Sequence, residues 1–238
     1  MALKHLACIM DGNRRWAREH GVLPWYGHRK GIDVLSTVFD FCLDYSIEHL
    51  SLYAFSLENL NRPATETQFL FDLITSEAET IAPECIRKGA RLRFCGDWNQ
   101  FPDCIRETCR KLEADTESGT ALQVNILFCY GGRQDLVHAV RELVRIRSNT
   151  IGIHSEVGMN AEIALTEQDI SDHLWTKGIP DPDLIIRTGG SHRLSNFLLY
   201  QAAYSELYFT DTLWPNMTRE EFEKGYQFFT SCQRNFGL

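Results

Sequence analysis

The sequence predicts an α/β fold, a mainly parallel sheet flanked by helices, in a single domain spanning residues 1–238. Three observations predict it. Short apolar runs alternate with longer amphipathic ones along the chain. Several of the short runs are apolar almost throughout, as expected of strands covered on both faces. No composition break divides the sequence, and the long polar stretch at 148–164 reads as a surface loop rather than a linker.

The strands fall at 6–10, 50–54, 92–95, 122–129, 184–187 and 207–210. Between them, amphipathic spacing predicts helices at 31–45, 66–87, 102–116, 134–147 and 166–175, with a last one from 219 to about 234. Three helix starts carry capping-box spelling: Thr65 with Gln68, Thr166 with Asp169, and Thr218 with Glu221. Strands separated by helices of this length imply parallel pairing with helices on both faces.

Composition narrows the function classes. A formal net charge of -8 argues against a nucleic-acid binder acting through a broad basic surface. The apolar run at 6–10 is far too short to span a bilayer or serve as a signal segment, so a soluble, cytoplasmic protein is expected. The 8 cysteines show neither C-x-x-C pairs nor zinc-finger spacing, and most sit in apolar runs, as reduced thiols do.

In a parallel sheet, ligands bind beyond the carboxyl ends of the strands. Polar residues follow four strands directly: Asp11-Gly12-Asn13, Phe55-Ser56, Gly131-Gly132-Arg133 and Thr188-Gly189-Gly190. An isolated Asp-Gly-Asn is usually only a turn. Here the Asp leaves an apolar strand, where a carboxylate needs a metal or cation as partner. Arg14 and Arg15 adjoin it, and Gly27-His28-Arg29-Lys30-Gly31 is read as opening a helix, an arrangement suited to anions. Mg²⁺ bridging Asp11 to a phosphate fits this pattern.

Between strand 50–54 and helix 66–87, one loop gathers Ser56, Asn59, Asn61 and Arg62. Arg62 with Glu66 also has the spacing of a simple helix-start ion pair. The strand at 184–187 delivers Arg187 into Gly189-Gly190, then His192, Arg193 and Ser195. Glycines admit close anion approach, and arginines match phosphate oxygens bidentately. The bland alternative for Arg187, a buried structural ion pair, is outweighed by three further donors close by. No G-x-x-x-x-G-K-S/T, G-x-G-x-x-G or G-x-S-x-G motif is present, nor any adjacent Asp-Asp pair.

The segments at 10–15, 27–28, 53–63, 130–133, 183–196 and 203–214 together resemble the cis-prenyltransferase family over nearly the whole chain. Asp-Gly-Asn-x-Arg combined with Arg-Thr-Gly-Gly-x-x-Arg-x-Ser-Asn-Phe is very specific. The resemblance implies a homodimer, each subunit with a hydrophobic tunnel roofed by two helices. It implies cis-addition of isopentenyl diphosphate to an allylic diphosphate, farnesyl diphosphate first in line. The product would be a long chain such as the undecaprenyl lipid carrier used in cell-wall synthesis, with peripheral membrane contact for its release.

It assigns Asp11 and Asn59 to catalysis and Mg²⁺ to Asp11 and Glu206. Gly12, Asn13, Arg14, Arg15, Trp16 and His28 would surround the allylic diphosphate. Ser56, Asn59, Leu60 and Arg62 would position the reacting ends, and Arg187, Arg193 and Ser195 would hold isopentenyl diphosphate. The stripe Phe69, Leu70, Phe71, Leu73, Ile74 and Ile81 would form tunnel wall, with small Ala54 beside it and Ile126, Leu127 and Phe128 narrowing it.

Three positions depart from the family pattern. Arg14 stands for a common Gly, Leu60 for a common Trp, and Pro24 for an arginine whose contact is lost or taken over by a residue such as Arg29. Other readings of the same residues are a short- or medium-chain synthase, a Mg²⁺-dependent diphosphate hydrolase, or a non-catalytic partner subunit.

Overall fold

The computed structural model describes residues 2–151 and 165–233. Its first half runs β1 (His5–Ile9), α1 (Asn13–Glu19), α2 (Pro24–Asp44), β2 (His49–Ser56), α3 (Ala64–Arg87), β3 (Ala90–Cys95) and α4 (Asp103–Asp115). The second half runs β4 (Leu122–Tyr130), α5 (Gly132–Ile151), α6 (Glu167–Ser171), β5 (Leu184–Arg187), β6 (Glu206–Phe209) and α7 (Arg219–Ser231). The strands form one sheet in the order β3-β4-β2-β1-β5-β6, and every neighbouring pair is parallel.

All five residues of β1 are buried, as are all four of β5. Alternate side chains enter two cores. The larger joins α2, α3, α4 and α7 to one face through residues such as Leu6, Leu52, Phe41, Phe71 and Phe222. The smaller, on the other face, contains Ile9, Leu127, Tyr130, Ile185 and Phe197. The chain lays β2 beside β1, places β3 at the far edge, inserts β4 between β2 and β3, and then crosses to β5 on β1's other side, so the order reverses between β1 and β5. That switch point is where an open parallel sheet leaves a crevice.

Several boundaries differ from expectation. Helix α1 was not expected; it has seven residues and no side-chain cap. Helix α2 begins at Pro24, a residue well suited to a first helical position, so Gly27–Gly31 lies inside the helix rather than opening it. Gly27 serves close packing instead: a Cβ there would stand 1.9 Å from the Asn13 carbonyl oxygen of α1. At Gly31 a Cβ would meet Asn13 Oδ1 at 2.5 Å.

Of the three capping boxes, only Thr166 with Asp169 forms, both residues bonding reciprocally. Helix α3 starts from Pro63, two residues before the expected cap, and Thr218 makes no side-chain cap hydrogen bond. Helix α6 stops at Ser171 rather than 175, because the Trp175 N–H is taken by the Asp135 carboxylate at 2.6 Å. Helix α5 absorbs the beginning of the 148–164 loop, whose part from 152 lies outside the described residues, as does Arg234. Each described cysteine is a free thiol, and all but Cys104 and Cys232 are buried. No helix among the described residues is long and apolar enough to cross a membrane.

A polar seam crosses the sheet. His5 Nδ1–H donates to the Pro180 carbonyl at 2.7 Å, so Nε2 accepts from the Ser51 hydroxyl at 2.8 Å, and Asn125 Nδ2 donates to the same hydroxyl at 3.2 Å. Burial pushes the His5 imidazole down to about 4, outweighing the Pro180 bond and Asp183, with His49 adding to the effect. A depressed folded-state value means that the unfolded chain takes up the proton first. This stabilisation is therefore complete above pH 6.5 and is lost as pH falls toward 4. At pH 5 the expected loss is on the order of 2 kcal/mol, read as a lower urea midpoint than at pH 7.5. His5→Gln should flatten that slope; an unchanged slope would free His5 of the role.

Candidate active site

At the switch point, the carboxyl end of β1 meets that of β5. Asp11 follows β1, and its Oδ2 accepts from Arg187 Nη2 at 2.9 Å. The Arg187 side chain is 4% exposed, whereas that of Asp11 is 34% exposed toward the crevice. Arg187 Nη1 also donates to the Ser195 hydroxyl at 2.7 Å and to the Arg193 carbonyl. Those bonds draw the 188–198 loop round the guanidinium, with Ser195 and Asn196 at left-handed φ values of 50° and 65°. Non-glycine residues held there are strained, a cost typical of ligand-holding loops. Asn196 is held in turn by Glu58 and Gln134.

Arg15, on α1, closes the same corner: its Nη2 donates to the Gly189 carbonyl and lies 3.7 Å from Asp11 Oδ1. Backbone anchors hold Asp11 from behind, since its carbonyl accepts from Thr188 Oγ1 at 2.7 Å and from the Trp214 N–H at 3.0 Å. A second ion cluster surrounds Glu66 on α3, whose side chain is only 8% exposed. Its Oε1 lies 3.2 Å from Arg62 Nη1, 3.7 Å from Arg14 Nε and 4.0 Å from His28 Nε2. Burial, then Arg62 and Arg14, lowers the His28 imidazole to about 4, so it is neutral at pH 7.

From this charged mouth a cavity of about 400 Å³ runs inward between the sheet and helices α2 and α3. Its polar end is lined by Asp11, Asn13, His28, Ser56, Asn59, Arg62, Arg187 and Ser195. The remainder is almost wholly apolar, with Leu70, Leu73, Ile74 and Ile81 from α3 facing Leu35 and Phe39 from α2. Ile126 and Phe128 of β4 also line it, but Leu127 belongs to the opposite core, because successive strand residues alternate in face. Ala54 lines the cavity at a register break between Tyr53 and Phe55, where the bulge re-aims β2. Phe69 packs instead against Trp25, ring centroids 5.7 Å apart, and Phe71 sits in the core beside Phe55 and Phe128.

Three buried polar atoms on the lining residues have no hydrogen-bond partner: Asn13 Oδ1, His28 Nε2 and Arg187 Nε. Unmatched groups that deep are costly unless a ligand completes them. A cluster of cationic and polar side chains opening onto an apolar cavity suits a ligand with an anionic head and a hydrocarbon tail.

Residues 9–237 match the family described as "Putative undecaprenyl diphosphate synthase". The chain belongs to that prenyltransferase family. It is 40% identical over 234 residues to the ditrans,polycis-undecaprenyl-diphosphate synthase ((2E,6E)-farnesyl-diphosphate specific) of Escherichia coli K12, covering 98% of this chain and 89% of that one. An isoprenyl transferase of Aquifex aeolicus is 38% identical over 240 residues, covering 100% and 98%. Among solved structures, lavandulyl diphosphate synthase from Lavandula x intermedia, in complex with dimethylallyl diphosphate, superposes with a TM-score of 0.90 at 26% identity, covering 100% and 99%. A probable undecaprenyl diphosphate synthase from Campylobacter jejuni gives 0.81 at 32% identity over the full length of both chains.

Within this prenyltransferase, not every expected site residue reaches the cavity. Arg15 stands beside Asp11, and Arg14 beside Glu66. Trp16 lies away from the lining, its Nε1 donating to Asn216 Oδ1 at 2.9 Å and its ring stacked on His20. Leu60 packs against the core instead. The Arg193 side chain is exposed, and only its carbonyl touches the site. Arg29 is not among the residues lining the cavity; its guanidinium stands 3.8 Å from Glu77.

Glu206 sits at the opposite end of the sheet from Asp11. It pairs in register with Leu184 at the start of β5, whereas Ile9, just before the Asp11 turn, pairs with Arg187. The two expected metal carboxylates are therefore not brought together within one chain, and no group of three or more metal-ligating side chains occurs among the described residues. Sequence reasoning weighed Glu66 only as an ion-pair partner and missed the backbone anchors from Thr188 and Trp214.

Proposed function

We propose that the chain elongates an allylic diphosphate with isopentenyl diphosphate, laying the new cis-polyprenyl tail into its apolar cavity. The observation that carries this reading is the Asp11–Arg187 pair at the mouth of that cavity. One diphosphate would occupy the corner formed by Arg187, Ser195 and Arg15, and the allylic diphosphate the corner of Asn13, His28, Arg14 and Arg62. Cations anchoring both heads fix the reacting carbons relative to each other and offset charge on the departing diphosphate. Neutral His28 can donate or accept a hydrogen bond there without adding charge.

Asp11 suits Mg²⁺, which favours one or two carboxylates completed by phosphate oxygens. Its Oδ1 has Arg15 only at 3.7 Å, leaving that oxygen available for a ligand. When bound, Mg²⁺ would neutralise charge building on the leaving oxygens. Asn59 Oδ1 accepts from the Ser56 N–H at 3.1 Å, which fixes the loop carrying both residues at the polar end. The apolar walls exclude water, favouring transfer over hydrolysis.

A homodimer is part of this proposal, supported by exposed Val137, Val140 and Val144 along one face of α5. A cytoplasmic setting with peripheral membrane contact rests on the reduced cysteines and the lipid character of the product. Incubation with farnesyl diphosphate, labelled isopentenyl diphosphate and Mg²⁺ tests the function. Lengthened lipid diphosphates are expected; release of inorganic phosphate without chain growth would mark a hydrolase. A second reading, a short-chain product, is decided by product sizing in the same assay.

A further inference from the structure

The charged residues lining the cavity gather at its mouth, with one exception. Asp11, His28, Arg62 and Arg187 surround the polar end, but Glu77 lines the apolar part between Leu73, Ile74 and Ile81 of its own helix. Glu66, at the mouth, lies eleven residues earlier on α3, about 16 Å along the helix axis. Glu77 therefore faces the tail of a bound chain, never its diphosphate.

The Glu77 side chain is 18% exposed, and its carboxylate stands 3.8 Å from Arg29 Nε across the α2–α3 seam. That seam is otherwise closed by Trp25 against Phe69 and by Lys88, whose ammonium meets Asp40 at 2.6 Å. Arg29 is 69% exposed, so its pairing with Glu77 is solvated and weak. A carboxylate so placed keeps what hydration it has through the seam and the cavity.

We infer that Glu77 is a specificity-determining residue whose charge sets where chain growth stops. Each isoprene unit laid along the apolar wall gains by leaving water. The unit that reaches Glu77 must instead strip water from an ionised carboxylate that Arg29 only partly compensates. Beyond that point added length no longer gains, and release of the product competes with the next addition. This inference rests on the elongation reading above.

The test compares product-length distributions of the wild type, Glu77→Ala and Glu77→Gln at matched consumption of labelled isopentenyl diphosphate. Both variants should shift the mean upward by about one isoprene unit or more, because both remove the charge. Gln keeps the side chain's size, so a shift in Ala alone would assign the limit to volume and overturn the proposal. Identical distributions in all three proteins, with a wild type that does elongate, would overturn it while leaving the enzymatic reading intact. A wild type that never elongates would remove both.

Discussion

Replacing Asp11 with alanine is expected to lower kcat by about 10³-fold. The size follows from what the carboxylate does in one place. It faces the cavity mouth and pairs with Arg187 at 2.9 Å, and in the proposed mechanism it would hold Mg²⁺ against a diphosphate. Charge that develops on a departing diphosphate depends on fixed countercharge in a site closed to water, where one such element contributes about 3–4 kcal/mol. The pairing adds a second consequence. Arg187 is nearly fully buried, so the alanine variant also leaves a buried cation without its carboxylate.

Asp11→Asn separates the two effects. An amide oxygen can still accept from Arg187 and keep the 188–198 loop in place, yet it carries no charge for the metal. Asn should therefore melt near the wild-type temperature while remaining as inactive as Ala, measured by single turnover with labelled isopentenyl diphosphate. Turnover within a few-fold of wild type in either variant would show that the carboxylate is not needed for the chemistry.

Much of the framework was legible because burial on both faces writes itself into composition. Residues 122–129 and 184–187 are apolar enough to mark strands without any periodicity, and β4 and β5 fall there. The helices were harder at their ends. Gly27 and Gly31 look like punctuation, but glycine is needed because α1 crosses so close that a side chain would strike the Asn13 backbone or amide. Helix α1 has no capping side chain to announce it, and seven residues hold too few apolar positions to show a period.

At the site, strand-end placement found Asp11, Asn13, Ser56 and Arg187, all of which line the cavity. Glu66 was weighed only as a helix-start ion pair, and its burial comes from Arg14 and His28, which the fold brings in from α1 and α2. Glu77 carries no motif that singles it out in the sequence; only the geometry of the seam brings it to the cavity. Glu206 was assigned by resemblance alone, and register with β5 places it at the far end of the sheet.

Arg187→Leu is expected to abolish activity and to lower stability by about 3 kcal/mol, because the guanidinium is the keystone of its loop and, in the proposed mechanism, would also hold a phosphate. Leucine fills part of the volume but leaves three acceptors behind: the Asp11 carboxylate, the Ser195 hydroxyl and the Arg193 carbonyl. The strained backbone at Ser195 and Asn196 would then lose the bonds that justify it. Arg187→Lys tells structure from binding. An ammonium can still meet Asp11, so most of the stability should return, but it lacks the planar fork that spans the loop and a phosphate together. Activity should therefore stay at least about 10²-fold down while the melting temperature recovers. Recovery of both would reduce Arg187 to a charge, and loss of both would make its role purely architectural. A double-mutant cycle with Asp11→Ala, which removes the contact outright, completes the comparison. Strong coupling in stability is expected, since the two side chains touch, and near-additive stability losses would mean that their contact contributes little.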